Sequence, residues 1–303
     1  MRKYFFSLFA AMLFLAGNAS AAALKLIPES AVYILFFNLD RIAALPAVKE
    51  AFNEKENPVH GAFKAAGCSR IVLAGGVKWS VALVDVSCKE DALLALLDAN
   101  GIKAEKVLID GRNFYKLDHY QLGNLPAIQK PVLTFIAPDT VAIMEQQQIG
   151  TVLAALKKVR NVSAGKEIMW GSVEPKRFSV PDFPQVRDVA KMFRKCTALT
   201  LKIDMKGKKQ DHLFIETEAV CPNEDTANFI AFVLPAGMMM AMNYLCAADA
   251  EFCNQLSSML LPGVSGRSAS IRLILSPEQA LRLGKAIEAT GRSQLENFKG
   301  NSF

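Results

Sequence analysis

Six cysteines are the residues of this sequence whose type and spacing could do covalent chemistry. Their spacing sorts them into three pairs: Cys68 with Cys88, Cys196 with Cys221, and Cys246 with Cys253. No Cys-x-x-Cys motif occurs, and no histidine stands at metal-ligand spacing from a cysteine, which argues against zinc. The first two pairs each bracket a predicted hairpin, so we predict a structural disulfide at both.

The last pair depends on the helix that carries it. Cys246 and Cys253 are seven residues apart. On one unbroken helix they would lie ~10 Å apart, which is beyond the reach of a disulfide. They can pair only if the helix breaks near Ala248 and Asp249, where the sequence turns from apolar to polar. The sequence leaves that break undecided.

Four methionines lie in the longest uncharged segment, residues 226–248. They are Met238, Met239, Met240 and Met242. Thioether side chains repack easily, so they suit an adaptable groove for a protein or a lipid, and they can also bind Cu(I). The favoured interpretation is a helix buried against a sheet. A membrane span fits the length, but Pro235, Gly237 and the acidic flanks argue against one.

Residues 161–186 hold a second candidate surface, in what we predict to be an irregular, proline-rich connector. The segment contains Trp170, Phe178 and Phe183. Aromatic side chains near an arginine, here Arg177, are typical of protein interfaces. The alternative is that these aromatic residues cover the edge of a sheet.

Patterns for catalysis are scarce. The chain has three histidines and no nucleophile-elbow, phosphate-binding or dinucleotide-binding motif. Glu216 and Glu218 would share one face of a strand, as an acid pair requires, although solvated carboxylates on an outer face are far more common. We therefore assign no catalytic residue and expect no metal and no cofactor. The alternative is a hydrolase with an unrecognised site.

The first residues predict export. Arg2 and Lys3 precede an apolar run over residues 4–17, and Ala19-Ser20-Ala21 is a small-x-small cleavage site. We predict a signal peptide over residues 1–21 and a periplasmic or secreted location, where disulfides persist. Removal of the leader lowers the formal charge from +6 to +4, which is weak for a protein that binds nucleic acid.

Hairpin, cysteine and helix follow one another twice along the chain, from residue 68 and again from residue 196. Flanking strands give the first half the order β-α-β-β-α-β, which is ferredoxin-like. We predict an α+β fold of two related ferredoxin-like repeats, antiparallel sheets with helices packed on one face. The repeats cover residues 22–130 and 131–290, and residues 291–303 form a flexible tail.

The cysteine pairs also predict the register of the two hairpins. In the first hairpin, the pairing places Val72 opposite Val84, in agreement with the apolar alternation. In the second hairpin the two patterns disagree, because the apolar residues favour Leu201 opposite Ile215. We predict a β-bulge near one end of that hairpin, since one extra residue would reconcile the two registers.

The phrases AVYILFFNLDRIAALPAVKEAF, VALVDVSCKEDALLALLDANG and TFIAPDTVAIM resemble a class of exported bacterial proteins of uncharacterised function. In that class a strand-helix opening, a hairpin-helix and a late hairpin recur in two halves. The resemblance covers most of the chain after the leader. It implies the two-repeat arrangement and an envelope location, and it implies no catalytic residue.

Together these patterns favour a disulfide-stabilised, non-enzymatic binding or scaffold protein of the bacterial envelope. Its partner would be a protein, with lipid as the second candidate, and nucleic acid is not expected. Membrane attachment through residues 226–248 or through an uncleaved leader is a further interpretation. The sequence leaves the oligomeric state open.

Overall fold

The computed structural model describes residues 23–43, 65–117, 130–160, 162, 167–177, 193–206 and 212–300. The predicted leader, Phe178 and Phe183 lie outside these ranges. The chain is α+β, with antiparallel sheets and several helices, which confirms the predicted fold class. It divides into two compact units, Met1–Trp170 and Gly171–Phe303.

Most of the first unit is one antiparallel sheet with the strand order β2-β3-β4-β8-β7-β6-β5. A short strand, β1, pairs with β9 in a separate ribbon, and β10, which begins in this unit, lies beside β2. The strands are β1 (Ile27–Pro28), β2 (Tyr33–Asn38), β3 (Arg70–Gly75), β4 (Ser80–Asp85), β5 (Ala104–Ile109), β6 (Arg112–Leu117), β7 (Pro131–Ala137), β8 (Thr140–Glu145), β9 (Val159–Arg160) and β10 (Met169–Val173). The helices are α1 (Leu39–Ala43), α2 (Glu90–Ala99) and α3 (Ile149–Ala155).

The second unit has a narrower antiparallel sheet, in the order β13-β14-β12-β11. Its strands are β11 (Ala198–Lys206), β12 (His212–Val220), β13 (Leu261–Ser265) and β14 (Ser268–Leu275). The helices are α4 (Glu224–Leu245), α5 (Ala250–Ser258) and α6 (Pro277–Gly300). Leu234 of α4, Leu256 of α5 and Leu273 of β14 belong to one buried cluster. This cluster places the core between the sheet and the helices.

In both units two hairpins lie side by side, and the second strand of one hairpin pairs with the second strand of the other. In the first unit β4 pairs with β8, which gives β3-β4-β8-β7, and in the second unit β12 pairs with β14, which gives β11-β12-β14-β13. A helix follows each second hairpin. The two halves thus share a strand order, but it differs from the ferredoxin-like one. In a split βαβ arrangement another strand separates the strands that flank the first helix, whereas β2 and β3 are direct neighbours.

Three segments differ from the sequence-based expectations. The β7–β8 hairpin, which we assigned to the second repeat, lies in the first unit and pairs with β4 and β6. Residues 161–186 include the strand β10. Helix α6 continues to Gly300, through most of the predicted tail, because each of its two interior glycines, Gly284 and Gly291, costs the helix only about 1 kcal/mol relative to alanine.

The register of the first hairpin is one residue away from the predicted one. Val72 lies opposite Leu83 and not opposite Val84. Strand β3 is buried at five consecutive positions, so both of its faces are apolar. The alternation of apolar and polar residues that normally selects a register is therefore missing.

The predicted β-bulge in the second hairpin is wrong. The β11–β12 ladder runs without interruption from Ala198 to Lys206, and it places Leu201 opposite Thr217. Cys196 precedes the ladder in a turn, where its backbone N–H donates to the carbonyl of Phe193 at 3.0 Å. Since this cysteine is not part of the ladder, its pairing does not constrain the register.

Candidate binding surface

Helix α4 begins with signals that its sequence supplies. The side chain of Asn223 accepts a hydrogen bond from the backbone N–H of Thr226 at 2.8 Å, which caps the first turn. Glu224 and Asp225 lie in that turn, where negative charge interacts favourably with the helix dipole. These signals start a helix of 22 residues that carries no charge after its first turn.

The inner face of α4 packs against the sheet of the second unit. Ala227 and Ile230 are fully buried in a cluster with Ala269 of β14. Further along the helix, Leu234 packs in the cluster that contains Ile271. Helical spacing places these residues on one stripe, and that stripe holds the helix on the sheet.

The opposite stripe of α4 is apolar and exposed. Phe229 is 47% exposed, Phe232 is 83% exposed, and Met239 and Met240 are 37% and 43% exposed. Phe232 lies three residues after Phe229, and Met239 and Met240 lie seven and eight residues after Phe232. This spacing keeps the four side chains on one side of the helix. We call these four residues the α4 outer face. A contiguous exposed apolar patch is typical of an interaction site.

The four methionines do not form the single groove that the sequence suggested. Met242 is buried and Met238 is partly buried, and both pack in the core of the second unit. Met239 and Met240 point outwards. Because the helix divides the thioethers between two sides, they do not converge as a Cu(I) site would require. Phe229 and Phe232, which the sequence analysis did not single out, are more exposed than the two outward methionines. Their separation of three residues in an uncharged segment is the sequence signal that places both on one side of the helix.

The cysteine pair at the carboxyl end of α4 meets the condition for pairing. The helix ends at Leu245 and α5 begins at Ala250, so the required break is present. The sulfur of Cys253 lies 3.2 Å from the carbonyl oxygen of Cys246. Burial, together with the side-chain hydrogen bond that the Cys246 thiol makes to Cys253, raises the pKa of Cys246 to about 12.

A second cysteine pair lies just before the amino end of α4. The sulfurs of Cys196 and Cys221 are 3.7 Å apart and buried, and burial raises the pKa of the Cys196 thiol to about 12. In the first unit, Cys68 is buried and Cys88 is half-buried. All six cysteines are free thiols in the structure, so the disulfides stay predictions. Helix α4 has a cysteine pair near each of its ends.

The connector residues are only partly within the described ranges. Trp170 lies on β10, is half-buried, and packs against the core cluster of the first unit. That position corresponds to the alternative of an aromatic side chain that covers a sheet. Phe178 and Phe183 lie outside the described residues.

The described residues bring no catalytic groups together. Glu216 forms an ion pair with Arg272 at 2.6 Å, which is the ordinary role of a carboxylate on an outer sheet face. No group of three or more histidine, cysteine, aspartate or glutamate side chains in the described part of the chain could hold a metal ion. One cavity of about 280 Å³ is lined by Lys116, Leu117, Lys130, Pro131 and Gln146, which include no carboxylate, hydroxyl, thiol or imidazole.

Helix α4 does not qualify as a membrane span. Of the helices within the described ranges, none combines the length and the apolar character needed to cross a bilayer. Pro235 and the acidic first turn, which the sequence already shows, lie inside this helix.

Comparison with known proteins supports the fold alone. No family model and no curated protein sequence matches the chain. The chain is similar to crystal form III of TP0453 with a TM-score of 0.50 and 12% identity, over 90% of this chain and 100% of that one. Crystal form I of TP0453 gives a TM-score of 0.48 and 11% identity, over 90% and 98% of the two chains.

Proposed function

We propose that this protein is an exported, non-enzymatic binding protein of the bacterial envelope, and that the α4 outer face binds a protein partner. The observation that carries the proposal is the exposure of Phe232, at 83%, within a stripe that includes Phe229, Met239 and Met240. A buried aromatic side chain contributes strongly to binding, and the neighbouring methionines adapt to the shape of a partner. The even number of cysteines and the predicted leader support the envelope location.

A protein partner fits this surface better than a lipid surface does. Helices that lie in the membrane interface usually carry lysine or arginine along their polar face. Helix α4 has no basic residue, and its charges are Glu224 and Asp225 at the first turn. These two negative charges would repel anionic lipids at that end of the helix. They would not repel an uncharged apolar groove of a protein.

The test places a photoactivatable side chain at position 232 of the exported protein in its own cells. We expect one discrete crosslinked protein band, because a specific partner presents the same neighbour to position 232 in every copy. The double substitution Phe229→Ser and Phe232→Ser, with a probe at position 240, should remove the band. A probe at Ile274 is the matched control, since this residue is 44% exposed on the outer side of the sheet.

Three results would contradict the proposal. The first is an unchanged band in the double-serine variant, which would place the contact elsewhere. The second is an equally strong band from position 274. The third is flotation of the wild-type protein with neutral phosphatidylcholine vesicles, abolished by the two serines, together with the absence of any protein crosslink. That combination would assign the surface to lipid. A crosslinked dimer of the chain itself would identify a second copy as the partner.

A further inference from the structure

Exposed residues of α4 follow one another at alternating intervals of four and three positions. We call this line the α4 seam, and its members are Asp225, Phe229, Phe232, Ala236, Met239 and Asn243. Intervals that average 3.5 residues keep side chains in one line along a helix, and two helices pack side by side along such a line. The spacing therefore indicates that the partner presents a helix to this surface.

The centre of the α4 seam fits an antiparallel copy of itself. Phe232 and Ala236 are equally far from residue 234, and so are Phe229 and Met239. A second helix that is reversed about this residue places its Ala236 opposite Phe232, where the smallest side chain of the seam leaves room for the largest. It places its Met239 opposite Phe229, and a thioether against an aromatic ring is a favourable contact. A two-fold axis repeats each of these contacts.

The ends of the α4 seam carry polar side chains that match in the same alignment. Asp225 and Asn243 are both exposed and are also equally far from residue 234. In the antiparallel pair, the amide of Asn243 in one copy can donate a hydrogen bond to the Asp225 carboxylate of the other. A polar residue on the line of contact fixes the register of paired helices. The polar ends thus specify the same register as the apolar centre.

The charges of α4 favour the antiparallel arrangement over the parallel one. Glu224 and Asp225 are the acidic residues of this helix, and both lie in its first turn. A parallel pair would bring the two acidic turns together, and like charges repel. An antiparallel pair separates them by about 27 Å, the rise of about 18 helical residues. This distance exceeds the screening length of about 8 Å at physiological salt.

We propose that the partner of the α4 outer face is a second copy of this chain, and that the two α4 helices pack antiparallel along the α4 seam. This inference rests on the proposed function, because it names the partner of the same surface. The pairing covers Phe232, which at 83% is the most exposed large apolar side chain of the described residues, and its removal from water drives association. A two-fold pair uses the seam of both copies, so the assembly closes as a dimer.

The first test is sedimentation velocity of the purified exported protein over a range of concentrations up to about 500 μM, which detects a dissociation constant in the micromolar range. We expect a monomer–dimer equilibrium. Phe232→Ala should raise the dissociation constant by at least ~30-fold, as truncation of a strongly contributing interface residue does. Ile274→Ala is the matched control, because Ile274 is exposed on β14 and lies outside the seam. It should leave the dissociation constant unchanged.

Two variants then test whether positions 232 and 236 meet across the dimer. Phe232→Ala leaves a small side chain at both positions, and Ala236→Phe leaves a large one at both, so each variant alone should dimerise poorly. Mixed in equal amounts, they should recover a dimer, because every small side chain then faces a large one. Both positions are exposed in α4, so the circular dichroism of each variant should match that of the wild-type protein.

The direction of the two helices has its own readout. A photoactivatable side chain at position 225 should crosslink to the chymotryptic peptide of the second copy that contains Asn243. A crosslink to the acidic first turn of the second copy would indicate a parallel pair and would contradict the proposal.

The inference and the proposed function fail on different results. A purified protein that stays monomeric, while the probe at position 232 captures a different protein in cells, overturns the inference and leaves the proposed function intact. A monomer whose probe captures no protein contradicts both. A dimer that Phe232→Ala does not weaken, or a mixture of the two variants that recovers no dimer, also overturns the inference, because the interface then lies elsewhere.

Discussion

The first unit buries both faces of its central strands, whereas the second unit buries one face and leaves the other partly exposed. Strand β3 is buried at five positions in succession. Strand β14 alternates, and its buried residues Ile271, Leu273 and Leu275 are separated by Arg272 and Ile274, which are exposed. The two sheets therefore share a strand order but differ in the number of faces that are covered.

The two units also differ in what the chain places between the two hairpins. In the first unit the intervening segment contains α2 and the β5–β6 hairpin, which extends the sheet. In the second unit it consists of α4 and α5, which cover one face of the sheet. An apolar helix on a sheet of four strands buries only the stripe that faces the sheet. The α4 outer face is exposed for this reason. An uncharged segment of sequence is therefore not necessarily buried on all of its sides.

The largest expected effect tests the number of covered faces directly. Leu73→Asp in β3 places a charge in a position that is 3% exposed. It should destabilise the protein by about 3–5 kcal/mol, the usual cost of an uncompensated buried charge, or prevent folding. Ile274→Asp in β14 is the control and should cost less than about 1 kcal/mol because the residue is exposed. Urea unfolding followed by circular dichroism measures both, and equal losses would refute the comparison.

The next effect concerns the cysteines. In the oxidised protein, Cys196→Ser with Cys221→Ser should lower the free energy of unfolding by about 3 kcal/mol, since the disulfide closes a loop in the unfolded chain. Cys68→Ser with Cys88→Ser should have a similar effect in the first unit, where the loop is of similar length. Peptide mapping without reductant identifies the bonds. If all six thiols of the native protein react with a labelling reagent after unfolding without reductant, the disulfide prediction is wrong.

Helix caps provide a smaller contrast between the two units. Asn223→Ala removes the side-chain cap of α4 and should cost about 1 kcal/mol. The N-cap residue of α2, Lys89, makes no side-chain hydrogen bond to its helix. Lys89→Ser should therefore stabilise α2 by up to about 1 kcal/mol. Thermal unfolding would measure both changes. The thermal midpoint should fall in Asn223→Ala and rise in Lys89→Ser. A loss of stability in Lys89→Ser would show that the lysine has another role.

The smallest effect belongs to the ion pair between α6 and the start of α5. Arg282 donates to both carboxylate oxygens of Asp249, at 2.7 and 3.0 Å, and this hydrogen bonding holds the pKa of Asp249 below its ordinary value. An acid with a lowered pKa contributes stability above its ordinary pKa, near 4, and loses it as pH falls through the folded value. Arg282→Met should therefore destabilise slightly at pH 7 and not at pH 2–3. Asp249→Asn keeps the cap of α5 and should reproduce this pH dependence. A penalty for Arg282→Met that does not change with pH would assign it to lost packing on Phe252.

Local signals in the sequence were sufficient for the type and approximate bounds of several elements. Strand β12 and helix α2 agree with the predicted segments, and α2 ends before Gly101, whose φ of +76° is the conformation that a glycine stop provides. The register of β3 against β4 was not predictable, because a strand that is apolar on both faces has no polar side to orient it. The placement of β7 and β8 beside β4 was also missed, since it depends on pairing between distant parts of the chain.

For the candidate surface, the sequence showed an uncharged helix but not which of its sides would be covered. The sheet of the second unit decided that Met242 is buried and that Phe232 is exposed.

Composition and short-range patterns by themselves determined the α+β class and the type of several hairpin and helix segments, and they predicted cysteine pairs suited to an oxidising compartment. Only the tertiary structure decided which strands are neighbours and which stripe of α4 faces outwards. The physical reason is that secondary structure follows from local side-chain chemistry, whereas burial depends on which distant segment packs against a given face.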